Sequence, residues 1–83
     1  GQGLLPLLAG IEPALGGSEP VRLNNLKYES RKAELRFLAT ATSFQRFEQL
    51  KADLLKQGYQ VEQGALNQID GKVQGTLTIR SKA

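Results

Sequence analysis

Residues 33–58 read AELRFLATATSFQRFEQLKADLLKQG, and a change of period inside this stretch decides the fold. Ala33, Leu35, Phe37 and Ala39 alternate with Glu34, Arg36, Leu38 and Thr40, the period-2 pattern of a strand with one buried face. From Phe44 the period lengthens. Phe44, Phe47, Leu50, Leu54 and Leu55 fall close to one helical stripe, while Gln45, Arg46, Gln49, Asp53, Lys56 and Gln57 fill the rest. Thr42 followed by Gln45 fits a capping box that satisfies orphaned backbone donors. Gly58 stands where a helix favours a left-handed residue at its end. The stretch is therefore expected to form a strand over 33–40 and a helix over 43–57.

Working outward, Val21 and Leu23 alternate with Arg22, and the inward parity then slips across Asn24-Asn25 to Leu26 and Tyr28. A strand over 21–28 with a bulge explains that slip, and the polar link Glu29-Ser30-Arg31-Lys32 makes a hairpin with the strand that follows. Earlier still, LLPLLAGIEPAL spans Leu4 to Leu15. It is interrupted by Pro6, Glu12 and Pro13 and falls short of the ~20 apolar residues a membrane span requires. A cleavable leader needs a basic start, which Gly1 to Gly3 do not offer. Leu4, Leu8, Ile11 and Leu15 instead recur on one helical face, with Leu5 and Leu7 off it, and Gly16-Gly17 ends the helix. On the other side, Tyr59 and Val61 open a strand over 59–66. Asp70-Gly71 suits a tight turn, Val73, Gly75, Leu77 and Ile79 alternate over 72–80, and Ser81-Lys82-Ala83 is a polar tail.

The order helix, strand, strand, helix, strand, strand contains one helix-hairpin unit twice. Two hairpins side by side make a four-stranded antiparallel sheet, and two helices with one apolar stripe each cover one of its faces. The expectation is one α+β domain over 1–83, a two-layer ferredoxin-like sandwich in permuted αββαββ order. The strands at 33–40 and 72–80 are then central and the other two lie at the edges. At 83 residues, with 40% hydrophobic and 23% charged residues, the chain has the composition of a small globular domain. It does not begin with Met, and is expected to be a piece of a longer protein.

Without histidine or cysteine, the chain lacks the commonest general base, the usual zinc ligands, the best nucleophile and any disulfide. Its serines have no base to activate them. Gly16-Gly17 follows a helix, whereas a phosphate-cradling loop follows a strand and opens a helix. Neither an enzyme nor a cofactor or metal site is expected. The net charge of +3 is spread through interleaved signs, and Phe37 shares the inward parity of Leu35, so nucleic-acid binding is not expected either. A small-molecule regulatory module is the alternative. The link Thr40-Ala41-Thr42-Ser43 has neither the Gly nor the Asp such a loop would use.

What remains is surface for a partner. An edge strand presents unpaired backbone groups, and Arg22, Lys27 and the bulge can be read as protection of that edge or as a shaped docking edge. Leu5 and Leu7 leave the first helix with apolar surface to spare.

The succession LLPLLAGIEPAL, VRLNNLKYES, KAELRFLATATSFQRFEQLKADLLKQGYQVEQG and GKVQGTLTIR, over positions 4–80, resembles the periplasmic C-terminal domain of the L component of bacterial type II secretion systems. None of these runs is a catalytic signature; their order and spacing carry the likeness. The resemblance implies a non-enzymatic ferredoxin-like domain at the periplasmic face of the inner membrane. It also implies a membrane helix preceding Gly1 in the full-length single-pass protein. Its implied partners are a second copy and the homologous periplasmic domain of the M component, with pseudopilins as further candidates. The family offers no interface motif to carry over, so the candidate partner-binding residues come from the edge and surface argument: Leu5, Leu8, Arg22, Leu23, Asn25, Leu26 and Lys27. An interface along the first helix and first strand, small enough to exchange, is expected.

Overall fold

A computed structural model describes residues 3–81. Gly1, Gln2, Lys82 and Ala83, which belong to the leading glycine segment and the polar tail, lie outside the described residues. The elements are α1 (Leu4–Leu15), β1 (Arg22–Glu29), a short 3-10 turn (Ser30–Lys32), β2 (Glu34–Ala41), α2 (Phe44–Lys56), β3 (Gln60–Ile69) and β4 (Lys72–Arg80). The four strands form an antiparallel sheet in the order β1-β2-β4-β3. The architecture is α+β with the permuted ferredoxin-like order, and β2 and β4 are central.

Facing residues of an antiparallel ladder share a side of the sheet. Leu35 pairs with Ile79, Phe37 with Leu77, Ala39 with Gly75 and Ala41 with Val73, and all of these are buried. Phe47, Leu50 and Leu54 of α2 and Leu7, Ile11 and Ala14 of α1 complete the core from above. Central β4 carries Gly75 because the layer above leaves no space there: an added Cβ would overlap Leu66 Cδ2 and come within 3.1 Å of Phe47 Cζ.

Both edge strands are bulged. The β1 register shifts between Asn24 and Lys27, with Asn25 in the left-handed region at φ 56°. The β3 register shifts between Gln63 and Leu66. A bulge bends an edge and interrupts its pairing groups. Pairing of Asn67, Gln68 and Ile69 with Gln74, Val73 and Lys72 carries β3 past the expected end at Leu66. Only Asp70-Gly71 is left for the turn, and both residues have positive φ, 52° and 77°, as a tight hairpin connection demands.

Several local expectations need correction. Leu7 is 3% exposed and sits at the centre of α1's buried stripe with Ile11 and Ala14, while Leu4, Leu8 and Leu15 are its flanks. With four leucines among residues 4–8, periodicity alone could not orient that face, and packing chose it. Phe44 and Leu55 are 54% and 57% exposed, because they lie roughly a quarter-turn round from the Phe47–Leu50–Leu54 stripe. Ala33 does not open a strand. It closes the turn at φ 49°, donating its N–H to Ser30 O, and β2 begins at Glu34. The cap of α2 is Ser43, whose Oγ accepts from the Arg46 amide at 3.0 Å. Thr42 is engaged elsewhere, its hydroxyl donating to Glu19 at 2.5 Å.

The C-terminus of α2 closes with two reversed bonds, Gly58 N–H to Leu55 O at 3.0 Å and Tyr59 N–H to Leu54 O at 3.1 Å, with Gly58 at φ 97°. This is the Schellman arrangement.

Gly75→Ala is expected to cost about 1–3 kcal/mol by overpacking against Phe47 and Leu66. In a domain of this size each kcal/mol lowers the melting temperature by about 4–8 °C. Urea unfolding of the two chains measures the difference, and equal midpoints would mean that the layer can give way at Gly75.

Candidate functional site

The candidate surface is built from α1 and β1, and its geometry depends on how α1 is held. Pro13 lies within α1 and the helix continues to Leu15, so its last carbonyls need partners from outside. Val21 N–H donates to Leu15 O at 2.8 Å. Arg46, from the first turn of α2, supplies the rest. Its Nη2 donates to Ala14 O at 2.9 Å and Gly16 O at 3.1 Å, and its Nε to Glu19 O at 2.6 Å. A guanidinium at a helix C-terminus also meets the negative end of the helix dipole. The bonds set the C-terminal end of α1 against the N-terminal end of α2. A groove of about 420 Å³ lies between them, lined by Gly16, Glu19, Ser43, Arg46, Gln49 and Asp53 among others. Nothing in a sequence of isolated polar-face residues marked Arg46 for this role. Its only signal was its place at the start of α2, opposite a helix that ends in Gly16-Gly17.

The proposed interface residues do not share one face. Leu5 is 76% exposed on α1, whereas Leu8 is half-buried against the core. On β1, Leu23 pairs with Ala39 and faces the helices, half-buried. Arg22 and Lys27 pair with Thr40 and Arg36 and point to the opposite, open side of the sheet. Asn25 sits in the bulge, and Leu26 beside it is 48% exposed. What the seven residues share is the free edge of β1 and the helix on the same layer as Leu23. At the other edge, Lys51 of α2 donates to Gln63 and pairs with Glu48 at 3.1 Å, so α2 reaches over β3 at its bulge.

The family described as the GspL periplasmic domain matches residues 3–81. The chain belongs to the GspL periplasmic-domain family. Type II secretion system protein L of Vibrio cholerae is 35% identical over 79 residues, which cover 95% of this chain. The protein of that name from Pectobacterium carotovorum is 29% identical over 82 residues, 99% of the chain. The chain spans 19% of the length of each of these curated relatives. Among solved structures, the periplasmic domain of EpsL from Vibrio parahaemolyticus superposes with a TM-score of 0.77 at 31% identity, covering 94% of this chain and 93% of that one. The periplasmic domain of XcpY gives 0.79 at 25% identity, covering 93% and 99%. Membership in the GspL family places the chain with the periplasmic domains of type II secretion protein L. Among the described residues no helix is long and apolar enough to cross a membrane.

Arg46→Ala removes a charged donor from three carbonyls. It is expected to cost about 1.5–3 kcal/mol and to raise amide exchange in 14–21 ahead of the sheet. Arg46→Lys should recover little, since one ammonium cannot reproduce the fork. Full recovery by lysine in denaturant unfolding would reduce the role of Arg46 to its charge.

Proposed function

We propose that this chain is a non-enzymatic docking module of a type II secretion assembly platform, working at the periplasmic face of the inner membrane. It forms a homodimer and, in exchange, a heterodimer with the homologous periplasmic domain of the M component; pseudopilins are further candidates. The observation that carries the reading is the β1 edge. It is a bulged, solvent-facing strand with exposed Leu26, in a layer whose first helix leaves Leu5 largely exposed, in a member of a secretion family. Backbone groups of an edge strand supply affinity, and side chains beside it supply selection. The lack of histidine and cysteine leaves little for catalysis to use.

Exchange between two partners favours a small interface, at the low end of the ~1,200–2,000 Å² of specific complexes. Its residues are Leu5, Leu8, Arg22, Leu23, Asn25, Leu26 and Lys27. Leu8 and Leu23 also pack on the core, so the informative changes are at the exposed positions. Leu5→Asp with Arg22→Glu and Lys27→Glu should weaken both self-association and association with the M-type domain at least about tenfold, the equivalent of 1.4 kcal/mol. Sedimentation measures the first and amide titration with the unlabelled M-type domain the second. Unchanged affinities in a folded triple variant would remove α1 and β1 from the interface. A metabolite that raises the melting temperature while the M-type domain causes no shifts would favour a regulatory ligand module instead.

A further inference from the structure

The face of the sheet opposite the helices carries a charge pattern of which the β1 edge includes only Arg22 and Lys27. Across it, Lys27 stands directly opposite Arg36, and Arg22 opposite Thr40. Thr40 in turn receives a bond from Gln74 Nε2 at 3.0 Å. Two concavities, of about 270 and 200 Å³, share Arg22, Thr40 and Lys72. A third, of about 310 Å³, is lined by Lys27 and Arg36 with Lys32, Tyr28, Glu29 and Glu34. The open face thus has two cationic sites, Arg22 with Lys72 and Lys27 with Arg36. Thr40 and Arg36 are four residues apart on β2, which separates the sites by roughly 13 Å. Between them lies Leu38, half-buried, with Thr76 opposite it on β4.

Like charges directly opposite on neighbouring strands destabilise a sheet, yet Lys27 and Arg36 face each other without an intervening carboxylate. The acidic groups nearby are Asp70 at one site and Glu29 and Glu34 at the other, and Glu34 is already bound by Arg80 at 2.8 Å. Glu62 lies in the row of Arg36, beyond Thr78. Among the described residues Arg22, Lys27, Arg36 and Lys72 make no ion pair or side-chain hydrogen bond.

We propose that this open face is a second docking surface, and that it takes an acidic extended segment of a partner protein. Alternate residues of an extended chain point the same way. Carboxylates four residues apart therefore reach both cationic sites, while the residue midway between them rests on Leu38. The paired positions on this face hold no aromatic side chain on which bases could stack, and the uncharged centre interrupts the cationic track that a nucleic-acid backbone would follow. This surface adjoins the β1 edge, with which it shares Arg22 and Lys27, while Arg36 and Lys72 belong to the open face alone.

The test is amide NMR of the labelled domain with the capped peptide Glu-Thr-Val-Thr-Glu, with Lys-Thr-Val-Thr-Lys as control. Saturable shifts confined to 22–27, 36–40 and 72–78 with the acidic peptide alone are expected. Raising the ionic strength from about 0.01 to about 1 M, which shortens the screening length from about 30 to 3 Å, should abolish them. Arg36→Glu with Lys72→Glu should weaken the peptide about tenfold, since each exposed pair turns from attraction to repulsion, while leaving association with the M-type domain unchanged. Equal shifts with both peptides, or none at millimolar acidic peptide, overturn the proposal. So does binding to phosphatidylglycerol vesicles, or to inorganic phosphate, by a domain that ignores the peptide, because the face would then read phosphate rather than an acidic segment. Loss of M-type association in the Arg36/Lys72 variant would merge the two surfaces and overturn the reading of the open face as a second one.

Discussion

The ladder between β2 and β4 is the constraint on which the rest of the molecule depends. Each helix-hairpin unit alone has one apolar sheet face and one helix, too little to bury a core. Joined through Leu35–Ile79, Phe37–Leu77, Ala39–Gly75 and Ala41–Val73, the hairpins present a continuous apolar floor. Antiparallel pairing brings the inward side chains of both central strands into the same rows. Phe47 and Leu66 then occupy the space that Gly75 leaves free. The edge strands follow from this pairing, since the strands left outside the central pair have one free side each.

The second constraint is the clamp at Arg46. The last carbonyls of α1, which ends at Leu15 before two glycines, have no partner within the helix. One guanidinium reaching the carbonyls of Ala14, Gly16 and Glu19 joins the first unit to the second where α1 leaves the layer. A cation at that end is favoured on electrostatic grounds as well. The orientation of α1, and so the exposure of Leu5 beside the β1 edge, follows from this bond as much as from burial of Leu7 and Ile11.

These constraints leave surfaces of different character. The β1 edge offers backbone groups interrupted by a bulge, with scattered apolar side chains. The open face offers side chains only, arranged as cations around a neutral centre. The β3 edge is bulged too, but α2 reaches over it through Lys51 and Gln63. A small domain can in this way carry more than one route to association, because sheet edge and sheet face recognise partners by different groups.

The alternating run Leu35, Phe37, Ala39 and the matching run Val73, Gly75, Leu77, Ile79 were enough to identify the central strands, since a period of two leaves no freedom in which residues point inward. The slip at Asn24-Asn25 marked the β1 bulge, and Asp70-Gly71 marked the turn, because each depends on backbone preferences local to those residues. The permuted topology followed from element order, and the family from the succession of the runs. Tertiary structure alone decided which side of α1 is buried: Leu4, Leu5, Leu7 and Leu8 offer more than one apolar stripe, and packing selects the one with Leu7. It also decided that Phe44 and Leu55 stay exposed, and that Arg46 holds α1 across 32 residues of chain. The two cationic sites of the open face arise in the same way. Arg22, Lys27, Arg36 and Lys72 are dispersed in sequence, and only strand register sets them on one surface.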